Sequence, residues 1–426
     1  MADRDQGDGA AALADRAVRT RMLLRAYIAN QTMHWFIVGI LTPVLILLIM
    51  DKGLSLGEAG IALAVYSATT IVLELPTGGL ADSIGRKRVY VLSLVVTFCG
   101  LAVLLVSTDF VLVSLAMFLN GVGRALSSGS IDAWFVDEFR SLNPNGDLQK
   151  AISRASTFVP LGLGMGALVG GALPVMFASY AGSLGGSSYD VDIIAMMVLV
   201  LAQGMLTQKF INEPESKRTS AGIAAGFLNV PAQLVKAGRS ASRDRTVAIM
   251  LLVGVAFGFA LVGLELLWQP RLSELLGGGG ETWVFGVLAA GYFMANSMGY
   301  VVAVPFCRAM KNDHPRALFV GFVAFGLLLA VLAVQTAVLM FALIYLLVYM
   351  SVGLLGSPFD TMFNLRIQSA DRSTMLSFLS LAMQTGGLVG NLVLGFVASA
   401  SSISIAWLLA SAVILLSSSA FLYLAI

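Results

Sequence analysis

The sequence predicts an all-α membrane protein with twelve transmembrane helices in two pseudo-symmetric six-helix bundles. Three observations carry that prediction. Of 426 residues, 58% are hydrophobic and only 12% charged, against about 25% charged in soluble domains, and the mean hydropathy is +0.87. Apolar runs of about 20 residues or more recur along the chain, the length that crosses a hydrocarbon core about 30 Å thick. Lys and Arg are confined almost entirely to one set of connections. A soluble enzyme, a disulfide-rich secreted domain and a disordered regulator are excluded by this composition. A membrane barrel fits poorly, because its strands alternate and these runs are continuous.

The helices are expected near 26–50, 59–78, 89–107, 110–131, 155–177 and 190–208, then 246–269, 283–306, 317–334, 337–357, 374–397 and 402–424. The chain therefore divides into an N-terminal tail (1–25), a first bundle (26–208), a central loop (209–245) and a second bundle (246–426). Charge checks the count. With the N-terminus in the cytoplasm, 23 of the 26 basic residues fall on cytoplasmic segments. These are the tail, the loops after helices 2, 4, 8 and 10, and the central loop. Lys52 and Arg271 fall outside, and Arg124 lies within a span. Both termini are thus expected in the cytoplasm, at the cell membrane. Within the central loop, residues 224–239 carry apolar side chains beside Lys236 and Arg239, the pattern of a short segment lying on the membrane surface or of plain loop. No cleavable signal peptide is expected. Cys99 and Cys307 fall on helices and are read as free thiols, and two His and two Cys offer no metal spacing.

Weak repetition relates the halves: Leu75-Pro76 before the loop after helix 2 is echoed by Val304-Pro305 before the loop after helix 8, and the charged loop after helix 4 by residues 360–372. Two related six-helix halves with a midplane site between them is the plan of many secondary transporters.

The loop after helix 2 reads Gly78-Gly79-Leu80-Ala81-Asp82-Ser83-Ile84-Gly85-Arg86-Lys87-Arg88. Gly78 and Gly85 allow a tight turn. Asp82 suits a helix N-terminus across the interface of the halves. Arg86 suits a bidentate pair with a carboxylate at the inner end of helix 4, where Asp132, Asp137 and Glu138 are available. With Lys87 these form an expected inner gate. This run resembles the signature loop of the major facilitator superfamily, with Ser83 replacing a usual basic residue. The resemblance implies the major facilitator fold and alternating access. Glu74-Leu75-Pro76-Thr77-Gly78 and the helix-4 run from Gly121 to Trp134 around Arg124 are similar to the efflux-like branch of that family. Its antiporter motif in helix 5 is degenerate here: Ala167 stands where proline is expected, between Gly166 and Gly170-Gly171.

Ionisable groups inside a span cost about 2.5–3.5 kcal/mol on insertion scales, which makes them candidates for function. Helix 1 carries Asn30, Gln31, His34 and Trp35. His34 suits proton exchange, a substrate contact or plain packing. Arg124 faces the cavity or pairs with Asp132 or Glu74. Glu265 suits a cationic substrate, a proton or the membrane interface. Gln203, Asn296, Gln384 and Asn391 are candidate cavity liners, and Tyr66, Tyr292 and Phe293 candidate aromatic walls. Coupling is assigned first to Asp132 and Glu74 with Arg124, then to His34. No nucleotide loop, nucleophile elbow or metal-protease motif is found.

The leading reading is a non-enzymatic transporter, without cofactor, that exports a small amphipathic molecule by proton antiport. Its partners are that small molecule, protons and the lipid bilayer, with no nucleic acid, and a monomer is expected. Proton-coupled uptake of a nutrient is the alternative. A non-transporting membrane sensor or lipid-handling protein is a third.

Overall fold

The computed structural model describes residues 2–144, 146–179, 186–213, 238, 244–278, 281–367 and 372–425, with the side chains of 2–14, 75, 78, 82, 372–374 and 425 outside the description. The possible surface segment at 224–239 lies outside the described residues, apart from Gly238.

Fifteen helices are described. The first half comprises α1 (Ala2–Leu41), α2 (Leu45–Asp51), α3 (Leu56–Ile84), α4 (Arg86–Val106), α5 (Phe110–Ser127), α6 (Ser130–Leu142), α7 (Leu148–Ser156), α8 (Phe158–Met176) and α9 (Asp190–Phe210). The second comprises α10 (Arg245–Leu275), α11 (Thr282–Ala309), α12 (His314–Ala333), α13 (Val338–Arg366), α14 (Arg372–Ala400) and α15 (Ile403–Ala425). Eleven helices or helix pairs are long and apolar enough to span, and α1 with α2, bent by 42°, supplies a twelfth. The fold is thus the expected all-α pair of six-helix bundles.

Three elements differ from the expectation. The first span is broken at Thr42-Pro43-Val44, because proline lacks the N–H that continues a helix. The fourth span breaks at Gly129, whose φ of +70° turns the chain before it resumes as α6, so Asp132 sits in the turn beyond the break. The loop after helix 2 is nearly all helix. α3 runs to Ile84, Gly85 alone makes the turn at φ +102°, and α4 starts at Arg86. The positive φ favours glycine there, and a Cβ would also crowd a Glu213 carboxylate oxygen at 2.8 Å. Most other spans extend several residues past their apolar cores, because hydropathy marks the hydrocarbon segment and not the helix end.

The connections that carry most of the basic residues gather at one end of the bundle, called here the basic end. Lys52 and Arg271 at the opposite end are both engaged. Lys52 Nζ reaches the Leu105 carbonyl at 3.2 Å and Asp190 at 3.4 Å. Arg271 pairs with Glu274 at 2.9 Å and donates to the Gln335 carbonyl at 2.8 Å. Two cations at the wrong end for the charge rule are therefore held by local acceptors.

Two helix pairs join the halves, α3 with α14 and α8 with α11. At the opposite end their backbones touch. A Cβ on Gly171 would sit 2.6 Å from the Gly286 Cα, and Thr282 donates to the Gly171 carbonyl at 2.7 Å. Gly57 N–H donates to Ser399 Oγ at 3.1 Å, and Gly60 packs on the Asn391 backbone. Small residues let spans approach this closely. Nearer the basic end α8 and α11 part: a Cβ on Gly164 would be 3.8 Å from Ala290, and Leu161, Met165, Met294 and Met298 are exposed.

Candidate functional site

Between the halves lies a cavity of about 490 Å³. Its walls come from both bundles and are mainly apolar, with Trp35, Tyr66, Tyr292 and Phe293 among them. This volume falls within the range of small-molecule pockets. Of the candidate residues, His34, Trp35, Arg124 and Glu265 line it, as do Gln203 and Asn391.

Arg124 enters from α5 and Glu265 from α10, and both are exposed to the cavity. The Arg124 guanidinium lies 5.9 Å from the Trp35 ring centroid, a cation–π distance. Its expected pairing with Asp132 or Glu74 is not found. The break at Gly129 carries Asp132 into α6, where it accepts from Tyr27 Oη at 2.7 Å and from Gln31. Glu74 accepts from Ser128 Oγ at 3.2 Å and, across the interface of the halves, from Gln384 Nε2 at 2.8 Å. Asp132, Glu74, Gln31 and Gln384 are thus outside the cavity wall, in contacts nearer the basic end. Among the described residues the Glu265 carboxylate accepts no hydrogen bond. An aromatic stack holds its helix: Trp268 on Tyr345 with centroids 5.6 Å apart, Trp268 edge-on to Tyr292 at 6.1 Å, and Trp407 Nε1 donating to the Gly263 carbonyl at 3.0 Å.

His34 sits edge-on to Trp35 at 5.5 Å. Its Nδ1 faces the Tyr90 hydroxyl at 3.5 Å, and that hydroxyl accepts from Gln203 Nε2 at 2.6 Å. Asn30, one turn earlier, is buried and donates to Thr207 Oγ1 at 2.9 Å. Asn296 is not among the lining residues.

The expected inner gate is partly described. The backbones of Gly78 and Asp82 lie within α3, and their side chains are outside the description. Arg86 Nη1 meets Asp137 Oδ2 at 2.5 Å, a contact within the first bundle. Glu213 was not anticipated. Its carboxylate accepts the backbone N–H groups of Arg86 at 2.8 Å and Lys87 at 3.0 Å, capping the N-terminus of α4. Lys87 Nζ donates to the Gln208 carbonyl at 2.9 Å and Trp134 Nε1 to Asn212 O at 2.9 Å. The loop after helix 2 is thus tied to α6 and to the end of α9. Gln269 was also missed: it is 2% exposed, and its role depends on a break in a distant helix. The proline at position 43 was the one available signal for that break.

Comparison with known proteins agrees with this architecture. The description "Major Facilitator Superfamily" matches residues 28–364. The quinolone resistance protein NorA of Staphylococcus aureus (strain COL) is 21% identical over 316 residues, covering 68% of this chain and 74% of its own. Two solved structures share the fold. The nucleoside transporter NupG gives a TM-score of 0.75 at 14% identity, covering 94% of this chain and 98% of that one. A bacterial homologue of the human lysosomal transporter Spinster, inward-facing and unoccupied, gives 0.71 at 15% identity, covering 95% and 98%.

Proposed function

The chain belongs to the major facilitator superfamily, and from that premise we propose that it exports a small amphipathic molecule in exchange for protons. One observation carries this reading: a mainly apolar, aromatic-walled cavity shared by both halves, with an uncompensated carboxylate, Glu265, on its wall. The basic end faces the cytoplasm, so the described state is closed to the outside. The bundles are residues 26–208 and 246–426, joined by the cytoplasmic segment 209–245, and the unit is a monomer in the cell membrane. Similarity to a quinolone resistance protein supports export of drug-like molecules.

Coupling follows from competition. A proton and the substrate both favour the same carboxylate, so each promotes release of the other, as antiport requires. Glu265 replaces Asp132 and Glu74 as the first assignment, because those two are already hydrogen-bonded away from the cavity. His34 and Arg124 shape the cavity opposite. Glu74 with Gln384 ties the halves nearer the inner side, and Arg86, Asp137 and Lys87 brace the inner end of the first bundle, with Gly78, Asp82 and Gly85 in the same segment.

The alternative, uptake of a nutrient, draws support from the shared fold of a nucleoside transporter. The mainly apolar lining favours an amphipathic molecule and hence the export reading. The reading is tested in proteoliposomes with a trapped pH dye. An outward substrate gradient should drive protons inward, and substrate movement without proton movement removes the antiport.

A further inference from the structure

We propose that Asp192 is a proton site of its own, separate from the cavity carboxylate Glu265, and that closing the end opposite the basic end loads it with a proton. Neither the direction of transport nor antiport is needed for this. Asp192, in the first turn of α9, is 0% exposed, and neither of its carboxylate oxygens has a hydrogen-bond partner. The other described carboxylates at that end are all answered. Asp190 holds Lys52 and accepts the Ser187 N–H at 2.9 Å. Glu58 accepts the Ser55 N–H at 2.9 Å, and Asp109 those of Val111 at 2.8 Å and Leu112 at 2.9 Å. Glu274 has Arg271, Glu281 accepts from Trp283 Nε1 at 2.8 Å, and Asp51 is exposed to water.

Asp192 shares a face of α9 with Met196 and Val200, four and eight residues on, and both of those line the cavity. It stands one turn beyond Met196, towards the closed end. The short helix α2 is fastened there at both of its ends. Gln269 from the other half accepts the Ile46 N–H at 2.8 Å. Lys52 Nζ donates to the carbonyls of Leu105 at 3.2 Å and Ser107 at 3.4 Å and to Asp190 at 3.4 Å. Those acceptors use the three donors of an ammonium, so Lys52 does not serve Asp192. The elements packed on α9 are α4, α1 and α8. α8 carries no ionisable side chain, and the half of α4 nearer this end carries only Cys99, which is exposed. His34 on α1 and Tyr90 on α4 adjoin Gln203, which lies about 16 Å from Asp192 along the helix. Tyr189 is within electrostatic reach of Asp51 and Asp192 but does not donate to Asp192. With neither donor nor cation beside it, this group is sealed from water at low cost only as the neutral acid. When the end opens, the Met196 face of α9 meets water and the proton leaves. Closure thus takes up one proton and opening releases it. The open state therefore gains as pH rises, by up to about tenfold in population per pH unit for one group.

The test reads the distance across that end in the purified full chain in detergent. Double electron–electron resonance is recorded between spin labels on Thr108→Cys and Ser401→Cys, with Cys99 and Cys307 replaced by Ser. Both label positions are exposed, on connections of opposite halves. As the solution is taken from about pH 5 to about pH 9, a short-distance population should give way to a longer one. Asp192→Asn is neutral at every pH and close in shape, and should hold the short distance throughout. Glu265→Gln and His34→Gln should both keep the shift. Distances independent of pH in the otherwise native chain overturn the proposal, and that titration needs no variant at position 192 to fold. A shift undiminished in Asp192→Asn, lost in Glu265→Gln, or following sodium at fixed pH overturns it as well. Export in vesicles does not enter this measurement, so a failure of antiport and a failure of this proton site are separate results.

Discussion

Gln269 on α10 repairs the backbone that Pro43 breaks at Thr42. Its Nε2 donates to the Thr42 carbonyl at 2.7 Å, and its Oε1 accepts the Ile46 N–H at 2.8 Å. The side chain crosses from one half to the other at the opposite end of the cavity, where it is 2% exposed. Opening that end in alternating access requires this bridge to part.

Replacing Gln269 by Leu therefore leaves two backbone groups without partners in the closed state, a penalty of about 1–3 kcal/mol for each buried group. The equilibrium should shift towards the outward-open state. A cysteine placed at Leu45, a cavity residue, should react about tenfold or more faster with an impermeant maleimide added outside. Unchanged reactivity would remove Gln269 from the gate.

Gly171 and Gly286 make a second closure on the same side. A valine at Gly171 meets the Gly286 Cα at 2.6 Å and the Thr282 carbonyl at 2.8 Å, both backbone atoms that cannot swing aside. Gly171→Val should hold α8 and α11 apart, insert normally and lose most transport. Wild-type turnover would show that this contact is dispensable.

At the basic end two contacts of different worth adjoin. Glu213 caps two N–H groups of α4, a role whose loss costs about 0.5–2 kcal/mol. The Arg86–Asp137 pair has side chains 21% and 49% exposed, and a pair so open contributes about 0–1 kcal/mol. Glu213→Ala should therefore lower the thermal unfolding midpoint in detergent more than Asp137→Ala does. The reverse order would mean that the ion pair, not the cap, holds this turn.

Much of this was legible in the sequence. Span length and the charge partition depend on burial in lipid, a local property. His34, Trp35, Arg124 and Glu265 were found because an ionisable or polar group in an apolar run stands out. Their partners were not legible. Arg124 lines the cavity, one of the two placements expected for it; the other, a pair with Asp132 or Glu74, requires for Asp132 a continuous fourth helix. The left-handed turn at Gly129 breaks that helix, and glycine alone does not announce it. Glu213 and Gln269 act through contacts 126 to 227 residues away in sequence, beyond any periodic signal. The signature loop read as a loop because glycine and charge end a hydropathy window, although α3 continues through it.

Orientation has its own check. Ser401 lies at the opposite end and Ser141 at the basic end, and both are exposed. With Cys99 and Cys307 replaced by Ser, a cysteine at position 401 should label on intact cells with an impermeant reagent, and one at position 141 only after permeabilisation. The inverse pattern would turn the protein over.

The most direct measurement is substrate accumulation in inverted membrane vesicles energised to be acid inside. The expected result is accumulation that collapses with a protonophore and is absent in Glu265→Gln, while that variant inserts at the wild-type level. Accumulation confined to right-side-out vesicles, or undiminished in Glu265→Gln, would contradict proton-coupled export through this cavity.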